Sequence, residues 1–135
     1  MAIKWNDSMR TGVAEVDEQH KELINMVNTL SDAIRSGKAK EEIEKILVFA
    51  GEYAQKHFKC EEGYFAKYNC PADAQNKAGH EQFVKRFTEL KQDFQASGGS
   101  FSLIMKIYNE LSNWLVQHIL GIDTQLRSSV ESRKS

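Results

Sequence analysis

Residues 43–65 read IEKILVFAGEYAQKHFKCEEGYF, and within them Ile43, Ile46, Leu47, Ala50, Ala54, His57, Glu61 and Phe65 recur at the three- and four-residue spacing of one helical face. An apolar stripe that takes in a histidine and a glutamate is the feature from which the rest follows. This helix begins near Lys40 and stops at Asn69-Cys70-Pro71, because the residue before a proline is driven out of helical geometry. The same period appears on either side of it. Upstream, a helix from Asp17, read as its N-cap, to Ser36-Gly37 carries His20, Leu23, Ile24, Val27, Leu30 and Ile34 inward. Downstream, a helix from Ala72 to Ala96 carries Asn76, His80, Phe83, Phe87, Leu90 and Phe94, and Gly98-Gly99 closes it. A fourth starts near Ser100 and repeats with Ile104, Ile107, Leu111, Trp114, His118 and Ile122.

Helices of similar length joined by short loops pack as antiparallel neighbours, so the expected fold is all-α, an up-down-up-down four-helix bundle. The expected organisation is a single domain over 1–135, with an N-terminal arm (1–16), the bundle (17–126) and a polar, frayed tail (127–135). The 18 lysines and arginines balance 19 aspartates and glutamates to a formal net charge of -1, and no basic stretch offers a phosphate-binding surface, so nucleic acid is not expected as a partner. The opening MAIKWNDSMR lacks the order of a signal peptide and no apolar run is long enough to span a bilayer, which gives the expectation of a cytoplasmic protein with no membrane association. Cys60 and Cys70 are too few for a disulfide framework and are read as reduced thiols. Cys60, next to Glu61 but about 100° round the helix from it, is expected beside the site, and Cys70 is read as an ordinary loop thiol. The tyrosines are assigned to packing.

Each of the chain's 4 histidines falls on a different helix. His20 and His80 are early in odd-numbered helices, and His57 and His118 are late in even-numbered ones, which in an antiparallel bundle is one and the same end. Glu61 lies one turn after His57, and Asp123 lies five residues after His118. Side chains four apart share a face, so His57 and Glu61 can hold one cation or two adjacent ones. Four inward imidazoles with two carboxylates read as a metal site, because carboxylates buried without cations are costly. Imidazole and carboxylate donors without an inward thiolate suit iron, manganese or zinc, and donor type alone does not choose among them.

The order of these pieces resembles the hemerythrins, and in particular the single-domain bacterial ones. The resemblance runs over nearly the whole chain: Trp5-Asn6, Val16-Asp17-Glu18-Gln19-His20, His57-Phe58-Lys59-Cys60-Glu61-Glu62, and Trp114-Leu115-Val116-Gln117-His118-Ile119 with Asp123. Ferritin-like di-iron bundles, the other candidate, use ExxH pairs that this chain lacks. The resemblance implies a cofactor of two iron ions, bridged by Glu61, Asp123 and an oxo or hydroxo group. One iron would take His20 and His57 and keep an open position where dioxygen binds as a hydroperoxide. The other would take His80 and His118. Leu115, Trp114 and Ile119 match the apolar lining of the oxygen pocket. The implied function is reversible dioxygen binding for storage, delivery or sensing, without enzymatic turnover.

One position departs from the pattern. Asn76 stands where the family places a further histidine on the closed iron, and an asparagine offers only a neutral carbonyl oxygen on a shorter stem. Three outcomes follow from that exchange: the amide or a water completes the shell, the second iron is held weakly, or that iron becomes a second open site. The last would move the protein towards oxidase or peroxidase-like chemistry, and a simple iron-binding module is a blander alternative.

Overall fold

The computed structural model describes residues 3–134, with the side chains of 133 and 134 left aside. Four long helices, α1 (Ala14–Arg35), α2 (Ala39–Lys67), α3 (Asp73–Ser97) and α4 (Phe101–His118), form the antiparallel bundle, and a fifth, α5 (Gln125–Lys134), follows a widened turn at Ile119–Asp123. The connections are as short as the sequence requires. Gly98 ends α3 in the left-handed conformation, at φ 76°, with its N–H on Phe94 O, and the Ser100 hydroxyl caps α4 by accepting from Leu103 N. Asn69 takes a positive φ of 50° between α2 and α3, a geometry asparagine tolerates better than most residues.

Two boundaries differ from the sequence reading. Helix α1 starts at Ala14, so Asp17 lies inside its first turns and is not the N-cap; its carboxylate accepts instead from the Thr11 N–H (2.9 Å) and hydroxyl (2.8 Å). A carboxylate there still favours the positive end of the helix dipole. The larger difference is at the other terminus, where the expected frayed tail is helical as far as Lys134. Its reason is packing: Leu126 (0 % exposed) and Val130 (2 %) bury against Val13, Val16, Phe65 and Cys70. Cys70, expected as an ordinary loop thiol, is part of that apolar group. Ser135, at the end of the expected tail, and Met1 and Ala2 of the arm lie outside the described residues.

The arm is tied at both ends. Asn28 exchanges two 2.8 Å hydrogen bonds with the backbone of Ile3, and Arg127 of α5 donates to the carbonyls of Arg10 (2.9 Å) and Asp7 (3.1 Å).

Following any helix along its length shows how the core is layered. Helix α2 runs from Ile43 and Leu47, in the main apolar cluster with Leu30, Leu90, Ile104 and Ile107, through His57 and Glu61 to Phe65 in the α5 cluster. Helix α1 does the same in reverse, from Val16 through His20 to Leu30. The polar cluster is a slab between two apolar ones. Replacing Leu126 by alanine is expected to cost about 2–5 kcal/mol in urea unfolding, as for a fully buried leucine, whereas a frayed tail would give a change near zero.

Candidate metal centre

His57 and Glu61, one turn apart on α2, place Nε2 and Oε2 3.0 Å apart. Around them the other helices add His20 from α1, Asn76 and His80 from α3, His118 from α4 and Asp123 from the turn after it, all between 0 % and 6 % exposed. The sequence spacing of His118 and Asp123 would set them about 140° apart on a regular α-helix, which would turn the carboxylate away. It does not, because Ile119–Asp123 is a π-turn, sealed by an i to i+5 bond from Thr124 N to Ile119 O at 3.0 Å. The extra residue in the turn brings the Asp123 carboxylate back to the histidine face.

Each carboxylate divides its oxygens between two groups. Glu61 Oε2 lies 2.8 Å from His20 Nε2 and 3.0 Å from His57 Nε2, while Oε1 lies 2.9 Å from His80 Nε2 and 3.9 Å from His118 Nε2. Asp123 Oδ2 meets His20 Nε2 and Oδ1 meets His118 Nε2, both at 3.1 Å. Asn76 joins the second group, its inward amide atom 2.9 Å from Glu61 Oε1 and His118 Nε2.

The remaining ring nitrogens decide what the cluster suits. His57 Nδ1 meets Gln19 Oε1 at 2.6 Å and His80 Nδ1 meets Glu62 Oε2 at 2.9 Å. Both partners accept, so both Nδ1 atoms carry a proton, and each Nε2 faces a carboxylate oxygen. An imidazole nitrogen about 3 Å from a carboxylate oxygen needs a proton or a metal cation between them. Adjacent donors round a six-coordinate divalent ion sit about 3 Å apart, the spacing of this cluster. The donor set fits two iron ions, one for each group.

Protons answer the same need in the metal-free chain. Burial opposes charge on His20 and His118, but hydrogen bonds and charges from Asp123 and Glu61 outweigh it and push both imidazoles up from 6.5 to about 9. Burial likewise opposes charge on Glu61, yet hydrogen bonds from His118, His20, His57 and His80 hold it well below the ordinary carboxylate range.

Several functional neighbours escaped the sequence reading. Gln19 and Glu62 orient the His57 and His80 rings, and their only signal was adjacency to His20 and Glu61. Phe58 stacks on His80 with ring centroids 3.9 Å apart, and Trp114 stacks on His118 at 4.5 Å. Gly79 admits the His118 ring: a Cβ there would lie 2.7 Å from His118 Cε1. Cys60 points away from the cluster and donates to Glu15 Oε1 at 2.7 Å; burial and that carboxylate push its thiol up to about 11. Leu115 and Trp114 line an apolar cavity of about 30 Å³ with Leu23, Val27, Ala54 and Phe58. Ile119, expected in the same lining, packs instead among Leu23, Ile24, Val27 and Leu115.

A bundle whose core carries a carboxylate-bridged, imidazole-rich site for two cations defines a class of metal-binding proteins, and comparison with known proteins places this chain within it. The Hemerythrin HHE cation binding domain matches residues 11–127, and the chain belongs to the hemerythrin family. It is 31% identical to the Bacteriohemerythrin of Pseudomonas paraeruginosa, covering 90% of this chain and 76% of that one. It is 31% identical to the Hemerythrin-like protein of Naegleria gruberi, covering 93% and 91%. A crystal structure of wild-type hemerythrin superposes with a TM-score of 0.82 at 29% identity, over 96% of this chain and 98% of the other.

Two measurements check the geometry. Gly79→Ala is expected to displace the His118 ring and weaken metal binding by about 10–100-fold, read as metal retained after dialysis. The second is the pH dependence of the metal-free chain. The raised His20 and His118 contribute stability that is fully present below pH 6.5 and lost as pH rises through about 9. The depressed Glu61 contributes stability present above pH 4.5 and lost as pH falls through its folded value. Thermal melts in chelator should peak between about pH 4.5 and 6.5 and lose on the order of 5 °C or more by pH 9.5.

Proposed function

We propose that the chain binds dioxygen reversibly at a carboxylate-bridged di-iron centre held by the seven side chains of the cluster. The observation that carries the assignment is the division of Glu61 and Asp123 between the two histidine pairs. In this reading His20 and His57 would hold one iron, His80, His118 and Asn76 the other, and Glu61 and Asp123 would each offer one oxygen to either ion. When bound, the two ferrous ions supply the two electrons with which hemerythrins bind dioxygen reversibly. The protein is a carrier and not an enzyme.

The chain's own residues supply the rest. Gln19 and Glu62 hold the Nδ1 protons of His57 and His80, fixing the tautomer that presents Nε2 inward. Leu23, Ala54 and Leu115 each lie three residues from a cluster histidine on their helix, so the apolar cavity begins one turn from the centre. A diatomic apolar ligand enters such a space without the desolvation cost that a polar competitor bears. The aromatic rings of Phe58 and Trp114 stack on His80 and His118 and hold them in place.

No helix of the described residues is long and apolar enough to cross a membrane. The function is tested by iron content and visible spectrum of ferrous-loaded chain moved from anoxia to air and back. Two irons per chain, with an absorption band that appears in air and vanishes on return to anoxia, are the expected result. An immediate and permanent ferric spectrum would replace the carrier with an oxidase-like protein.

A further inference from the structure

Among the side chains that converge on the cluster, Asn76 alone stays neutral at every pH, and it can present a donor or an acceptor by turning its amide half a revolution. Its inward atom lies 2.9 Å from Glu61 Oε1 and His118 Nε2, 3.1 Å from His80 Nε2 and 3.2 Å from Asp123 Oδ1. Two of those neighbours are carboxylate oxygens. With its carbonyl inward, Asn76 accepts from a His118 Nε2–H but sets its oxygen against two carboxylates. With its NH2 inward, it donates to both. A divalent cation among the same atoms reverses that preference, because an amide binds metal through oxygen, so the side chain has to turn before a cation is held there.

The half formed by α1 and α2 has no equivalent group. His57 Nε2, its ring fixed by Gln19, faces Glu61 Oε2 from 3.0 Å, and no side-chain amide donates to that oxygen among the described residues. A cation entering there breaks no amide hydrogen bond. The bridging carboxylates allow the halves to differ in occupancy: with one oxygen of Glu61 and one of Asp123 on a cation, the other two remain with the Asn76 NH2.

We propose, building on the di-iron reading, that the chain has a stable one-metal state. The first divalent cation enters between His20 and His57, and the Asn76 amide keeps the half at His80 and His118 closed until a second cation turns it. Dioxygen binding, which needs both metals, is then set by the concentration of free ferrous ion as well as by oxygen.

The test is anaerobic titration of the metal-free full chain with Fe2+ by calorimetry, paired with crystals grown at one and at two equivalents and read by anomalous scattering at the iron edge. The expected result is two steps, the second weaker by on the order of tenfold or more, with density at one equivalent only between His20 and His57. Asn76→His should bring the steps together. The crystallographic arm stands without any variant: equal density in both halves at one equivalent, or density first beside His80 and His118, would overturn the one-metal state while leaving the di-iron reading intact. No iron in either half at two equivalents would overturn both.

Discussion

Two carboxylates, Glu61 and Asp123, are buried to within 1 % of complete exclusion from solvent in a layer enclosed above and below by apolar side chains. Isolated burial of either would be prohibitive. The polar side chains around them are arranged to answer those two charges: four imidazoles by direct contact, an amide by donation, and Gln19 and Glu62 by fixing how two of the rings present themselves. In the metal-free chain, protons on His20 and His118 supply the balancing charge. The fold therefore builds a site that must hold positive charge and leaves open only whether protons or metal ions supply it. Metal binding and proton release are two sides of one equilibrium here.

The apolar layers matter to that equilibrium as much as the ligands. Helix α5 covers the open end with Leu126 and Val130, and the arm covers a side with Ile3, Trp5 and Met9. Asn28 fastens the arm to α1 and Arg127 fastens α5 to the arm, so these two segments form walls of the site. With solvent kept out, the electrostatic interactions among the buried groups are stronger than they would be in water, and a small apolar ligand meets no water to displace from the cavity beneath.

The four long helices, their antiparallel order and the convergence of the histidines were legible because each depends on a period that side chains repeat many times. The His57 and Glu61 pairing was legible for the same reason. The Asp123 contact was half legible: its five-residue spacing from His118 is wrong for an α-helix, and that mismatch was itself the sign of a π-turn, visible only to a reader who asks where the carboxylate would otherwise point. Helix α5 escaped because Leu126 and Val130 form too short a stripe to outweigh ten largely polar residues, and its burial depends on Val13, Val16 and Phe65, far away in sequence. Gln19 and Glu62 escaped because a partner for a ring nitrogen is defined by an angle across a helix interface, which no spacing records. Gly79 could have been suspected, since a glycine inside a helix costs stability and so asks for a steric reason.

Asn76 shows the limit of reading ligands by type. As a donor to iron it is a weakened histidine, shorter and neutral, and by that measure the site looks damaged. Placed in the structure, its side chain is fully buried, reaches the cluster, and sits at a donor-to-donor spacing that suits a metal's coordination shell. A histidine in its place would present a single ring nitrogen inward and would need a proton or a metal to face two carboxylates. The amide needs neither, because it carries its own donor on the same group as its acceptor. An amide at this position thus makes an empty second half tolerable, so two halves with nearly matched imidazole and carboxylate donors differ physically by one neutral side chain.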